Sequence, residues 1–527
     1  MSRSGRSIHP ESVFLYLSNL NIWKAQGNDG LNHRLLKSCA SSLSDPLCHV
    51  YNLSLRSGIF PSRWKTALIQ PIFKCKGERS DPKNYRPIAL LPSVSKIFEH
   101  FVHQQLLKFC LAHRTIPDAQ FGFLPKRSTV WQLLDVLEDI HLALEEGSSV
   151  HACFLDISKA FDRVDHGLLL RKLQAIGIAK NELSWFSTYL RHRNISTCVD
   201  GVCSRELAIS SGVPQGSVLG PLLFIIYLSD LPAVVTGTPA LFADDTLVYD
   251  RCSGKNAPSC CRLQQDLESI HEWSDEWSTT FNAGKSAVMA FRGKRKPAES
   301  TDRSTLTLGT SQVPSCEQVK HLGIRLTSTL SWSPHIDSLL HRIAHRVYIL
   351  KCLARRCDRN GFVSHLYLAL VRPVLEYGGP VWDSCTRHDS LRLERVQLSV
   401  ARAIMRMDRK TFSNVSVLES IGWSSLAWRR RRFKLLLLWK LLHGEGPPSL
   451  RKKVPPPVES RSSMSLRRST LRQVVCHTER RLRSFLPSTV ALWNTLPVSV
   501  TSCSSCSDFL SALDSFFASD KYSFGLV

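Results

Sequence analysis

Two adjacent aspartates inside an apolar, β-prone stretch set the strongest limit on what this chain can fold into. The segment reads PALFADDTLVYD, with Asp244 and Asp245 between an apolar run and a second run from Thr246 to Tyr249. On a straight strand, neighbouring side chains point to opposite faces. The pair can act together only if the backbone turns between the two runs, and run–turn–run is the pattern of a short hairpin. Its tip concentrates negative charge beside buried apolar side chains, which is costly unless a cation sits there. Taken alone, Asp-Asp also suits a solvated turn. A second aspartate shifts the balance. Asp156 ends the run Ala152-Cys153-Phe154-Leu155, which reads as a buried strand leading into a polar turn and a helix. Oxygen-only carboxylate clusters suit hard cations such as magnesium, which fill their remaining positions with water and substrate phosphates. Two such ions can stabilise the attacking and the leaving oxygen of an in-line phosphoryl displacement.

The chain has 527 residues, 43% of them hydrophobic, enough for two to four packed subdomains. Its formal charge of +24 calls for a polyanionic partner or a membrane surface. PLLFIIYL and FKLLLLWKLL, the longest apolar stretches, are too short to span a bilayer. The N-terminal MSRSGRSIHPESVFLYL lacks the apolar core and cleavage site of a signal peptide. Nucleic acid is therefore the expected partner, with no membrane, and the expected location is the nucleus or cytoplasm, the nuclear site being implied only by the resemblance described below. Seventeen cysteines show no zinc spacing, and they read as reduced thiols packed as small hydrophobes.

Residues 1–60 suit short helices, with a turn at Gly27-Asn28-Asp29-Gly30. From about 61 to 128, Pro61, Pro71, Pro82, Pro87 and Pro92 alternate with short apolar runs, which predicts strands and loops. The spacing predicts a helix from Ser128 or Thr129 to Gly147. Strands are expected at 151–157, 222–228, 241–249 and 287–291, and helices at 166–190 and 261–280. Mixed rather than strictly alternating elements favour an α+β sheet. Beyond 330 the pattern turns helical. Residues 401–490 carry twenty Lys and Arg against five Asp and Glu, a net +15. Within them, GPPSLRKKVPPPVESRSSMSLRRS reads as a linker or flexible arm.

Further segments surround the carboxylates: KAQGNDGLNHRLLK (24–37), PIFKCKGERSDPKNYRPIALLPSVSKIFE (71–99), QFGFLPKRST (120–129), FLDISKAFDRVDH (154–166), SGVPQGSVLGPLLF (211–224) and VKHLGIRL (319–326). VRPVLEYGGPVWD (371–383) and LPSTVALWNTLP (486–497) follow. Together with FADD these resemble the reverse transcriptases of non-LTR (LINE-type) retrotransposons, over nearly the whole chain and in order.

The resemblance implies a right-hand polymerase of α+β class: fingers, an α+β palm, a helical thumb, then a mainly helical basic C-terminal region. In these terms 1–60 extends the fingers, 61–326 holds fingers and palm, 327–400 the thumb, and 401–527 the basic region. It implies RNA-directed DNA synthesis with two magnesium ions, manganese being a possible substitute. The implied partners are an RNA template, a DNA primer and deoxynucleoside triphosphates. By the same resemblance Asp156, Asp244 and Asp245, with the backbone carbonyl of Ile157, hold the metals. Phe161 stands against the sugar, where a ring excludes a 2′-hydroxyl. A core phenylalanine is the other reading of that residue. Gln215 and Gly216 pack on the incoming nucleotide, although GVPQGS alone also suits a simple turn. Arg86 with Lys74 or Lys76 holds the triphosphate, and Lys285 is a candidate proton donor to pyrophosphate. Arg127 is placed on template backbone, and Leu322 with Gly323 in the primer-gripping hairpin.

Full-length relatives of this kind carry an endonuclease upstream, and here the polymerase motifs start close to the first residue. A separate endonuclease is thus a possible partner, and an isolated polymerase region with its tail is expected. Two alternatives share the fold: a catalytically silent nucleic-acid-binding remnant, and a maturase-like RNA-binding protein.

Overall fold

The computed structural model describes residues 7–252, 259–293, 306–356, 360–458, 470–518 and 520–525. The chain divides into two compact units. One comprises Met1–Phe123, Leu155–Thr246 and Gln265–Lys285; the other comprises Leu124–Phe154, Leu247–Gln264 and Ser286–Val527. Among the described residues the strands in chain order are β1 (Thr66–Phe73), β2 (Tyr85–Leu90), β3 (Ser149–Asp156), β4 (Arg193–Val199), β5 (Val202–Cys203), β6 (Leu207–Ile209), β7 (Thr238–Phe242), β8 (Asp245–Cys252), β9 (Ala287–Phe291), β10 (Thr307–Leu308), β11 (Ser311–Gln312), β12 (Gln318–His321) and β13 (Ile324–Thr327). The mixed α+β class is as expected.

The first unit is built on a sheet of order β2-β1-β4-β5, with β6 on β4. In the antiparallel β1–β2 pair Pro71 lies opposite Pro87 and Ile72 opposite Arg86. β1 runs parallel to β4 only from Thr66 to Ile69, so the missing amide of Pro71 falls where β1 has no partner on its other side. Aromatic rings fill the neighbouring core. Tyr51 stacks on Phe98 at 4.7 Å, and Phe60 meets Tyr189 edge-on at 5.0 Å. Three expectations fail here. The stretch 61–128 is not only strands and loops, because Ser93–Ala112 is a 20-residue helix. No proline falls between Pro92 and Pro117, and the helical run 93–112 is free of both Pro and Gly, so nothing interrupts helical hydrogen bonding. The run 222–228 is likewise no strand: Gly220–Tyr227 is a helix with Pro221 in its first turn. Every residue of that helix except Pro221 is buried, and an all-apolar run carries no period to separate the two states. The N-terminal helices are also not all short, since Ala40–Ser57 runs for 18 residues. The Asn28-Asp29 turn is present, with Gly30 at φ +67°.

In the second unit Thr129–Glu145 is a helix capped by Ser128, whose Oγ accepts from Trp131 N at 3.2 Å. β3 and β9 pair antiparallel with Cys153 opposite Val288. Six consecutive buried residues on β3 explain its near-continuous apolar run. Beyond β13 the described chain is chiefly helical, with long helices at Ser333–Arg356, Arg387–Met405 and Leu426–Leu442. Trp428, Leu435, Leu438, Trp493, Leu496 and Phe509 pack in one apolar cluster, which accounts for the LWNTLP segment. Part of the expected linker is ordered: Pro448–Lys453 is a helix, and Val458 N donates to Thr470 O at 2.8 Å. Residues 459–469 of that linker lie outside the described residues.

Candidate active site

The Asp-Asp hairpin forms as its sequence predicts. β7 ends at Phe242, Ala243 and Asp244 make the turn, and β8 begins at Asp245. Ala243 takes φ +57°, a left-handed conformation that few residues with a Cβ adopt. Asp156 closes β3, and the first unit carries it and the hairpin tip together. Its backbone carbonyl accepts from Asn282 N at 2.8 Å, and Ser158 N donates to Thr280 O at 2.8 Å. Ile157 is buried and bridges to Phe281. These hydrogen bonds fix the end of β3 against the segment before Lys285.

Both hairpin carboxyls feel the charge of Asp156. Asp244 and Asp245 reach the surface, yet the surrounding protein strips away enough water to push both carboxyls up. The negative charge of Asp156 adds to that rise for each, and Asp244 adds to it for Asp245, which reaches about 6. Arg86 pulls Asp244 the other way, so its guanidinium lies within electrostatic reach of the hairpin. Lys285 Nζ stands 3.7 Å from Asp156 Oδ2. Like charges held this close and partly desolvated are what a cation relieves.

Among the described residues, no group of three or more His, Cys, Asp or Glu side chains gathers to hold an ion by protein ligands alone. Hard divalent ions of magnesium type use one or two carboxylates and take water and phosphate oxygens besides, so this donor set fits.

Phe161 is half-buried, stacked on Phe224 at 4.7 Å and edge-on to Phe123 at 6.1 Å. Its carbonyl accepts from Val213 N at 2.8 Å, which ties it to the Pro214-Gln215-Gly216 loop. Gln215 O in turn accepts from Ala89 N at 2.7 Å, and Gln215 Nε2 donates to Asp162 at 3.3 Å. Gly216, at φ +117°, has a reason to be glycine: a Cβ there would stand 2.4 Å from Ala89 O. Arg86 is exposed on β2. Lys74 and Lys76 are exposed just beyond β1, with Lys74 Nζ donating to Lys83 O at 2.7 Å.

The remaining candidates belong to the second unit. Arg127 is half-buried directly before the Ser128 cap. Leu322 and Gly323 form the β12–β13 turn at φ +46° and +82°, and Leu322 O accepts from Tyr377 at 2.9 Å. Three positions in the first unit escaped the sequence reading: Asp162, Asn282 and Gln120. Asp162 and Asn282 act through backbone and loop hydrogen bonds that no spacing displays. Gln120 stood inside QFGF, where its polarity among apolar residues was the available signal.

Comparison with known proteins follows the same lines. Residues 74–326 match the family described as reverse transcriptase (RNA-dependent DNA polymerase). The matched segment, residues 74–326, belongs to that family. The chain is 31% identical over 404 residues to the RNA-directed DNA polymerase from mobile element jockey of Drosophila funebris, covering 75% of this chain and 43% of that protein. It is 32% identical over 394 residues to the probable RNA-directed DNA polymerase from transposon X-element of Drosophila melanogaster, covering 72% and 42% respectively. A Pol polyprotein from the type-1 retrotransposable element R1 of Bradysia coprophila is 25% identical over 426 residues. The chain thus spans under half the length of the curated relatives it matches, and the resemblance to retrotransposon enzymes holds. Enzymes of this family use divalent metal ions. No helix among the described residues is long and apolar enough to cross a membrane.

Proposed function

We propose that this chain copies retrotransposon RNA into DNA by nucleotidyl transfer at the cluster of Asp156, Asp244 and Asp245. The elevation of both hairpin carboxyls, caused first by burial and then by the charge of Asp156 on each, carries this reading, because it sets them within electrostatic reach of the carboxylate that ends β3. Magnesium ions bound there would supply the positive charge that activates a primer 3′-hydroxyl and stabilises departing pyrophosphate. Asp156 and Asp244 are the proposed main ligands, with Asp245 and the Ile157 carbonyl completing the set.

The other residues act on the substrates. Arg86, close enough to lower the Asp244 carboxyl, is positioned to meet a triphosphate by bidentate contacts, with Lys74 and Lys76 beside its strand. The Phe161 ring, braced by Phe224, excludes a ribose 2′-hydroxyl. Gln215 and Gly216 line the nucleotide, and Lys285 donates a proton towards pyrophosphate. In the second unit Arg127 contacts template, and Leu322 with Gly323 grips primer. The fingers, palm and thumb boundaries given above accompany this reading, as do RNA template, DNA primer and deoxynucleoside triphosphates as partners.

Primer extension on an RNA template is the test. Synthesis that depends on a divalent cation and vanishes in Asp244→Ala is expected. The thermal midpoint should hold or rise, because removing a carboxyl whose charged form is disfavoured costs the fold nothing at neutral pH. Undiminished synthesis in folded Asp244→Ala would refute the assignment.

A further inference from the structure

The turn that carries Asp244 is held by a side chain outside the carboxylate set. Residues 119–121 run alongside β7 as a short added partner. Leu241 N donates to Ala119 O at 2.8 Å, and Phe121 N donates to Leu241 O at 2.7 Å. Gln120, between them, is only 1% exposed. Its Oε1 accepts from Gly122 N at 2.8 Å and from Ala243 N at 2.9 Å. An amide oxygen has two lone pairs, and two backbone amides occupy this one.

One of those amides belongs to the strained residue of the hairpin. Ala243, at φ +57°, immediately precedes Asp244, and its rotation sets where the next carboxylate stands. Gly122 shows how tightly the two segments meet: a Cβ there would lie 2.4 Å from Ala243 N. Two backbone bonds, one doubly accepting side chain and one obligate glycine thus converge on the turn.

We propose that Gln120 is a positioning residue that holds the Ala243 turn so that Asp244 and Asp245 stay converged beside Asp156. The inference rests on the reading of Asp244 as a catalytic ligand. Without the Oε1 acceptor, two buried amides lose their partner. The turn is then free to relax to a less strained φ and let the like charges part. Groups that orient ligands in this way typically change metal affinity or activity by about 10–100-fold when removed.

The test uses the full chain on a saturating RNA template–primer, titrated with magnesium. Gln120→Met keeps the length and removes the acceptor, and Gln120→Glu keeps an acceptor. Gln120→Met is expected to raise half-saturating magnesium about tenfold and to slow synthesis. Gln120→Glu should restore most of both. A folded Gln120→Met with the parental magnesium dependence overturns the proposal, even if its thermal midpoint has fallen, because that pattern marks a purely structural role. If Gln120→Met does not fold, Gln120→Glu carries the test, and a tenfold magnesium shift in the folded glutamate variant overturns the acceptor role. Asp244→Ala separates this inference from the reading beneath it. Retained synthesis there would remove the site assignment itself, whereas loss there with an unaffected Gln120→Met would remove only the role of Gln120.

Discussion

Lys285 Nζ lies 3.7 Å from Asp156 Oδ2, with both side chains substantially exposed at 68% and 42%. An ion pair so open adds little to stability. We expect Lys285→Met to leave the folding free energy within about 0.5 kcal/mol of the parent. Single-turnover extension should slow by roughly 100-fold if the ammonium delivers a proton to pyrophosphate. A parental rate across pH 6–9 would reduce the lysine to a surface charge.

Phe161 is braced by Phe224 at 4.7 Å, so the ring has a packing role whatever its substrate role. Phe161→Ala should cost about 2 kcal/mol, roughly half the penalty of truncating a fully buried phenylalanine. Its distinguishing effect is on sugar choice. Competition between a ribonucleotide and a deoxynucleotide on one primer should show incorporation ratios shifted towards the ribonucleotide by tenfold or more. An unchanged ratio would return Phe161 to the core.

Glu394 sits buried against the start of the helix Leu426–Leu442 and accepts from Ala427 N at 2.8 Å. Burial pushes its carboxyl up to about 7, against the pull of the Ala427 amide and Arg430. A folded-state value above the unfolded one means its contribution to stability is complete below the unfolded value and is lost as pH rises through about 7. Glu394→Gln should therefore be more stable than the parent at pH 8.5, by on the order of 2 kcal/mol. The advantage should be much smaller at pH 5. Thermal midpoints at the two pH values check this, and an equal difference at both would contradict it.

The basic segment 401–490 is less free than its net +15 suggests. Arg430 and Lys434 both pair with Asp383, Arg432 with Asp514, Arg429 with Glu376, Lys453 with Asp135 and Asp139, and Arg481 with Glu138. Every one of those carboxylates lies outside the segment, so a count confined to it overstates the charge available to nucleic acid. Exposed Arg409, Lys410 and Lys452 are better candidates for binding phosphate. Replacing all three with Gln should flatten the slope of log RNA affinity against log salt by roughly 0.7–0.9 for each phosphate no longer neutralised. Arg430→Met should instead lower the thermal midpoint, since it leaves Asp383 with less of the compensation that holds its carboxyl at about 2. An unchanged slope in the triple variant would assign the segment to packing alone.

Much of the site was legible because its chemistry is local. FADD implied a turn between two apolar runs, and the hairpin β7–Ala243–Asp244–β8 realises it. The buried run before Asp156 implied a strand ending at that carboxylate, as β3 does. The α+β class and the helical second half followed from periodicity. Where a run was apolar all round, as at 222–228, no period existed and the helix was missed. Where prolines dominated one part of a stretch, a proline-free run within it, Ser93–Ala112, was misjudged with it.

By itself, the sequence determined residue types and their spacing: the paired and the distant aspartate, the turn-forming glycines, and the polymerase motifs in order. Tertiary structure alone decided which groups meet. It placed Gln120 Oε1 on the Ala243 amide 123 positions away, and Lys285 on Asp156. It also decided that Gly216 serves close approach to Ala89, and that carboxylates from distant segments pair with part of the basic tail. The physical reason is the range of the interactions. Propensity and periodicity act over a few residues and can be read along the chain. Hydrogen bonds, charge pairs and steric approach depend on distances that exist only once the chain has closed on itself.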